Sequence, residues 1–282
     1  MKTDISSYID QIVLPKKDSH KGENGRVLVI GGSKLFHAAP FWSACMASKI
    51  VDMVHFSSPT MENNELMRVR AKEKFWEGIV VAWEDVEHYI QEDDCILIGP
   101  GMTRSSSNDL GFKKQDLRED TKMIVNKLLK KYPEKKWVVD GGALQEVDPS
   151  LLNKNMIVTP NRRELDRLGN SVEELGISGV TILSKGQVDV ITCGKERIEI
   201  AGGSAGMTKG GSGDVLAGLV AGLYAKSPAI PSCVVASQVN KLAGQELEKR
   251  LGVFYSASEL IGEGQKQLFM RISEGLQQNT AN

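Results

Sequence analysis

The sequence predicts an α/β protein: a three-layer α/β/α sandwich on a mostly parallel sheet, with an antiparallel hairpin at one edge. Three observations predict it. Short apolar runs recur along the chain, and most end in glycine or a polar turn, as strands buried on both faces do. Segments of helical period separate them, the alternation that builds parallel sheets. No Pro/Ser-rich linker divides the 282 residues, so residues 1–282 are expected to form a single domain.

The elements follow in order. Val27-Leu28-Val29-Ile30 is the first strand and runs into Gly31-Gly32-Ser33. Residues 38–51 read as a helix that tolerates Pro40 in its first turn. Strands follow at Val54-His55-Phe56, Ile79-Val80-Val81-Ala82 and Cys95-Ile96-Leu97-Ile98. The polar stretch 103–118 reads as a surface loop, and Met123, Val125, Leu128 and Leu129 give 119–131 a helical period. Trp137 to Asp140, Met156 to Thr159 and Val180 to Leu183 are three more strands. Val188–Thr192 and Arg197–Ile200 flank a short turn and form the hairpin. From Gly213 onward the chain is mostly helical.

Composition excludes several function classes. There are 35 basic and 36 acidic residues, a net charge of −1, and no Lys/Arg block to coat nucleic acid. The longest apolar stretch, Val215 to Ala225, is too short for a membrane span and contains Gly218 and Gly222. The N-terminus lacks a signal-peptide core. Cys45, Cys95, Cys193 and Cys233 are scattered without zinc spacing, which predicts a cytoplasmic protein with reduced, mostly buried thiols.

The predicted strand exits Gly31-Gly32-Ser33, Gly99-Pro100-Gly101, Asp140-Gly141-Gly142, Thr159-Pro160-Asn161 and Lys185-Gly186 should line one cleft, because open α/β sheets bind ligands beyond their strand carboxyl ends. Glycine is also in surplus: 28 residues against roughly 20 expected at the average usage. The surplus is concentrated in Gly202–Gly222, where a glycine-rich loop meets an apolar helix. Such a junction presents backbone N–H groups and a positive dipole end to an anion, most often phosphate. It is neither a GxxxxGK[ST] loop nor a GxGxxG fingerprint. Asp214 stands at this junction. It could simply cap the helix. The sharper reading is a general base that takes a proton from a substrate hydroxyl attacking phosphorus, with the N–H groups of Gly211, Ser212 and Gly213 stabilising the transferred phosphoryl group.

Gly210-Gly211-Ser212-Gly213-Asp214-Val215-Leu216-Ala217-Gly218 resembles the GTGDxLxG signature of the ribokinase-like superfamily. Within it, the chain is similar to the NAD(P)H-hydrate dehydratases over roughly residues 20–275. The further blocks Gly25–Ser33, Ile98–Met102, Val139–Leu144, Thr159–Leu165 and Leu183–Gly186 come in family order. The resemblance implies a ribokinase-like fold. It implies repair of hydrated NADH or NADPH (the 6S form): ADP or ATP, with Mg²⁺, phosphorylates the ring hydroxyl, and loss of phosphate restores the double bond. It assigns Asp214 as base and hydrate contact, and Gly211, Ser212 and Gly213 as the anion hole. Lys185, Gly186, Gln187, Val188 and Asp189 match the KGxxT nucleotide loop. Ala39, Gly101 and Asn161 match hydrate-binding positions. A homo-oligomer is also implied.

There are departures. Asn161 stands where many members have histidine, and cannot shuttle a proton at pH 7. The DADAL block is Asp140-Gly141-Gly142-Ala143-Leu144 here, which leaves Asp140 alone as a candidate Mg²⁺ contact beside the phosphates. Ser212 replaces threonine, and Ala38 replaces a glycine. Glu164 could assist a metal or face solvent. Asp140 and Asn161 could each merely cap a helix, and Lys185 could be a solvated turn residue. His20, His37, His55 and His88 form no cluster; His37 lies nearest the expected cleft. About 20 residues precede the first motif, so no epimerase domain is expected within them. The same loop and Asp214 would also serve a small-molecule kinase acting on a vitamin precursor or sugar alcohol. A non-catalytic nucleotide sensor would have no need of Asp214.

Overall fold

Residues 4–73, 77–104, 121–168 and 178–281 are described by the computed structural model. The apolar runs form β1 (Arg26–Ile30), β2 (Met53–Ser57), β3 (Gly78–Val80), β4 (Cys95–Ile98), β5 (Lys136–Val139), β6 (Met156–Val158), β7 (Thr181–Ser184), β8 (Val188–Cys193) and β9 (Glu196–Ala201). They make one nine-stranded sheet in the order β3-β2-β1-β4-β5-β6-β7-β8-β9. Strands β1 to β7 pair in parallel, and β8 and β9 close the edge antiparallel. The expected architecture is therefore present, hairpin included. Its direction of growth reverses between β1 and β4, and at such a switch point the two outgoing loops part and leave a crevice.

The helices are α1 (Ser6–Ile9), α2 (Ala38–Ala47), α3 (Met61–Glu73), α4 (Val86–Glu92), α5 (Thr121–Lys131), α6 (Gly141–Glu146), α7 (Arg162–Leu168), α8 (Ser212–Lys226), α9 (Ala229–Leu251) and α10 (Ala257–Ala281). Strand alternation sends Val27 and Val29 into a core shared with α2, α8, α9 and α10. Leu28 and Ile30 enter the opposite core, against α4, α5, α6 and the fully buried Trp137. No helix among the described residues is long and apolar enough to cross a membrane.

Two boundaries differ from expectation. Helix α2 stops at Ala47 rather than residue 51, because Lys49 and Ile50 form tighter turns onto Met46 and Ala47, while Ile50 and Val51 keep the apolar spacing. Strand β3 is Gly78–Val80 rather than 79–82, and its short edge position leaves Ile79 exposed. Residues 119–120 of the expected helix and 105–118 of the expected loop lie outside the described residues. Cys95 and Cys233 are buried, Cys45 and Cys193 half-buried, and all four are free. His55 is buried with its Nδ1 2.9 Å from both carboxylate oxygens of Asp93, the structural role expected of it.

Helix α8 is placed by its small residues. A Cβ on Gly218 would lie 2.3 Å from the Ser43 carbonyl oxygen of α2, and one on Gly222 would lie 2.8 Å from Ile50. The Ser43 hydroxyl donates to the Asp214 carbonyl at 2.8 Å. The close packing of α2 on α8 thus holds the N-terminal turn of α8 beside the exit of β1. Gly218→Ala should force the two helices apart and destabilise the protein by roughly 1–3 kcal/mol, the usual cost of overpacking. Urea unfolding should show a lower midpoint with an unchanged slope.

Candidate active site at the strand carboxyl ends

Three carboxylates and one ammonium converge where β5, β6 and β7 end. Asp140 follows β5 directly. It occupies the N-cap position of α6, but its side chain does not cap that helix. Its Oδ1 instead accepts from the Thr159 hydroxyl at 2.6 Å and from Lys185 Nζ at 2.7 Å. Lys185 is therefore not a solvated turn residue, with a side chain only 18% exposed and a partner 4% exposed. Burial alone would lower the lysine's pKa, but the charges of Asp140, Glu164 and Asp214 outweigh it and hold the pKa above its usual value. The backbone supports this placement: Lys185 N–H donates to the Pro160 carbonyl at 2.7 Å, and Asn161 bridges Lys185 in parallel.

Asp214 sits in the first turn of α8, with Gly211 at the N-cap, so the carboxylate is not that helix's cap. Its pKa is pushed up to about 7, first by burial and then by the charge of Asp140, with Lys185 opposing. Groups poised near neutrality in a cleft are those suited to moving protons. Gly211 has a φ of +98°, and a Cβ there would lie 2.4 Å from the Trp42 ring, so both conformation and space require glycine. A Cβ on Gly213 would lie 3.4 Å from Lys185 Nζ. The ammonium therefore reaches across to the helix N-terminus, where first-turn N–H groups lack intrahelical acceptors. That of Ser212 turns toward the Lys209 carbonyl at 3.4 Å, and the Ser212 hydroxyl donates to the same oxygen at 3.1 Å. Lys209 in turn donates to the carbonyls of Val253 and Tyr255, anchoring the loop to the start of α10.

The other expected residues group on two sides. Gly186, Gln187 and Val188 are exposed at the β7–β8 turn, whereas Asp189 is 3% exposed and turned inward. On the β1–β4 side, Gly101 has a φ of +71° and packs on the first turn of α2, where a Cβ would come 2.9 Å from the Phe36 carbonyl and 3.3 Å from Ala39. Gly32 N–H donates to the Pro100 carbonyl at 2.8 Å, so the two loops of the switch point are joined. Asn161 does cap α7: its Oδ1 accepts from Glu164 N–H at 3.0 Å, and Glu164 accepts from Asn161 N–H at 2.9 Å. Glu164 also accepts from Gln145 Nε2 at 2.9 Å. An open recess beside them is lined by Arg104, Gln145, Asn161, Arg163, Glu164 and Arg167. His37 stands at the N-cap position of α2, with its Nδ1 2.8 Å from Asn63 Oδ1.

A family model described as NAD(P)H-hydrate dehydratase matches residues 27–266. The chain belongs to that family. It is 32% identical over 288 residues to an ADP-dependent (S)-NAD(P)H-hydrate dehydratase of Nitrosopumilus maritimus, covering 93% of this chain and 95% of the relative. It is 33% identical over 269 residues to a bifunctional NAD(P)H-hydrate repair enzyme of Methanocaldococcus jannaschii, covering 91% of this chain but 51% of that one. The chain thus spans about half the length of the bifunctional relatives it matches. A ribokinase-like superfamily protein of Enterococcus faecalis superposes with a TM-score of 0.77 at 21% identity, over 96% of this chain and 95% of the other. The fold is ribokinase-like. The chain carries the Asp214 block with Ser212 in place of its threonine, while Lys241 lies outside every quoted motif. Thr159, in a strand exit expected to line the cleft, holds Asp140 through its hydroxyl, a contact its position in the sequence does not specify. Lys241 was read only as part of a helix; a lone lysine within Cys233–Ala243 was the available signal.

The charge balance makes a titration prediction. The Asp214 carboxyl should titrate near pH 7 by ¹³C NMR. Lys185→Met should move that midpoint upward, since the lysine is the group holding it down. A midpoint near the ordinary carboxylate value of about 4 would contradict the described burial.

Proposed function

We propose that the protein is a nucleotide-dependent dehydratase that restores NADH or NADPH from the corresponding (6S) hydrates. The observation that carries this reading is Asp214, a carboxylate with a pKa raised to about 7, held on the first turn of α8 beside Lys185. Family membership and the ADP-dependent relative support it. We read residues 1–282 as one domain acting in the cytoplasm, on its own or as a homo-oligomer.

The hydrate would enter at the β1–β4 crevice, past Ala39 and Gly101, and extend along the strand ends toward Asn161 beyond β6. The nucleotide would lie along Lys185–Asp189, with its phosphates directed at the N-terminus of α8. Asp214 takes the proton of the ring hydroxyl as that oxygen attacks the terminal phosphorus, and the bond from phosphorus to the nucleotide's bridging oxygen breaks. First-turn N–H groups of α8 and the Lys185 ammonium stabilise the charge on the moving phosphoryl group. The ring C–O bond then breaks with phosphate as leaving group. Loss of a proton from the neighbouring ring carbon completes the double bond.

Mg²⁺ is the cofactor that accompanies such phosphates. The residues present do not build a dedicated site for it. Asp140 is already engaged by Lys185 and Thr159, and no cluster of three or more His, Cys, Asp or Glu suited to a metal occurs among the described residues. Any Mg²⁺ would be carried by the phosphates.

Hydrated NADH or NADPH incubated with the protein and ADP or ATP should recover reduced-nicotinamide absorbance and release phosphate, with ADP the better donor. A stable phosphorylated alcohol would instead identify a kinase. Recovery with neither nucleotide would reject the reading. Asp214→Asn should lower turnover by about 10²–10⁴-fold, the range for loss of a general base, while nucleotide binding persists. The rate should rise with pH through about 7, as Asp214 ionises, and then level off.

The same shift has a stability consequence. The folded pKa lies above the unfolded value of 3.8, so the Asp214 contribution to stability is fully present below about pH 4 and is lost as pH rises through about 7. Asp214→Asn should therefore be more stable than the parent above pH 7, by about 1–2 kcal/mol after allowance for solvent screening, and equal to it below pH 4 in thermal unfolding. Gly213→Val should place methyl groups against the Lys185 ammonium and abolish activity without unfolding the sheet.

A further inference from the structure

We propose that Lys241 is a positioning residue: a built-in cation that sets the shape of the nucleotide turn from beneath. This rests on the reading of residues 185–189 as the nucleotide loop. The family pattern there is KGxxT, and this chain has Asp189 in place of the threonine. A carboxylate beside bound phosphates is unfavourable unless its charge is neutralised, and the structure neutralises it within the turn.

Lys241 lies on α9 and is 4% exposed. Its ammonium stands 3.2 Å from Asp189 Oδ1 and donates to the carbonyls of Gly186 at 2.9 Å and Gln187 at 3.0 Å. A longer contact of 3.5 Å reaches the Gly202 carbonyl, at the start of the glycine-rich segment. Asp189 is fixed on both oxygens: Oδ1 accepts from Gly186 N–H at 2.8 Å, and Oδ2 from the Ser237 hydroxyl at 2.7 Å. Ser237, Lys241 and Gln245 fall at four-residue spacing on one face of α9. Gln245 comes next to Gly202, where a Cβ would lie 3.2 Å from its Nε2.

One helix face therefore ties the β7–β8 turn to the loop that follows β9. Carbonyl oxygens drawn inward to an ammonium leave the exposed face of Gly186-Gln187-Val188 with a fixed curvature and with fewer acceptors facing an incoming nucleotide. A buried charge with this many oxygen partners is costly to leave half-paired, so the arrangement is rigid. Lys241 touches the turn and not the cleft between Asp214 and Gly101. Its effect should fall on nucleotide affinity and leave the handling of the hydrate unchanged.

The test is steady-state kinetics of Lys241→Met, Lys241→Arg and Asp189→Asn, with folding checked by thermal unfolding. Lys241→Met should raise the nucleotide KM at least tenfold, with the hydrate KM and kcat changed less than twofold. Lys241→Arg should recover part of the loss. Lys241→Ala should be partly rescued by ammonium chloride and not by tetramethylammonium chloride at equal ionic strength. Asp189→Asn, which keeps the Gly186 contact but removes the charge pair, should raise the nucleotide KM severalfold and gives the reading if Lys241→Met does not fold. An unchanged nucleotide KM in folded Lys241→Met or Asp189→Asn would overturn the proposal, as would equal increases in both KM values. Gly186→Val separates the two levels: if it leaves nucleotide affinity unchanged, the loop assignment fails. If it weakens affinity while Lys241→Met does not, only the role of Lys241 fails.

Discussion

The ion pair between Lys185 and Asp140 is the constraint from which the candidate site follows. It joins the ends of β5 and β7 across β6, at 2.7 Å and largely out of water. Removing Lys185 would leave the buried Asp140 carboxylate without its cation, a loss of several kcal/mol in comparable cases. Its geometry also fixes the electrostatics of everything nearby. Lys185 is one positive charge facing three carboxylates, so Asp214 is only partly compensated and keeps a pKa near 7. With Asp140 absent, the ammonium would attract Asp214 more strongly and its pKa would fall. The pair thus keeps Asp214 from being a permanently ionised salt-bridge partner, as the proposed role of general base requires.

The backbone around this pair is arranged to let other groups come close. Gly211 must turn left-handed beneath Trp42, and Gly213 faces the Lys185 ammonium across van der Waals contact. Gly218 and Gly222 belong to a different requirement, the approach of α2 to α8. Within the glycine-rich segment, Gly211 and Gly213 therefore belong to the turn before α8, whereas Gly218 and Gly222 set how closely the α2 segment packs on that helix. Position and chemistry are coupled because both lie on one helix.

Much of this was legible in the sequence. Strands buried on both faces need continuous apolar residues, so β1 and β4 to β7 announce themselves, and the turn at Gly194-Lys195 marks the hairpin. Strand β3 was misplaced because a short, half-exposed edge strand lacks that constraint. The end of α2 was missed because Ile50 and Val51 pack inward whether or not the helix continues. At the site, motif order located Asp214, Lys185 and the glycine loop. It could not show that Lys185 turns to Asp140 instead of solvent, since that contact spans 45 residues of sequence. Nor could it show that Asn161 and Glu164 cap each other; the Asn-x-x-Glu spacing was present, but a binding role competed for the same residue.

The departures from the family pattern gain sense when taken in charge terms. The Asp140 block lacks the second acidic residue of the resembled pattern, and a further carboxylate, Asp189, lies buried beneath the β7–β8 turn. A second carboxylate beside Asp140 would add to the negative charge around Lys185 and push Asp214 further from ionisation. At Asp189 the extra charge is instead enclosed by Lys241, Ser237 and the Gly186 N–H, away from Asp214. The site therefore keeps a single lysine balanced against the carboxylates that bear on proton transfer, while a separate lysine serves the turn. Two local neutralisations, rather than one shared network, would allow the proposed nucleotide turn and the proposed base to be tuned independently.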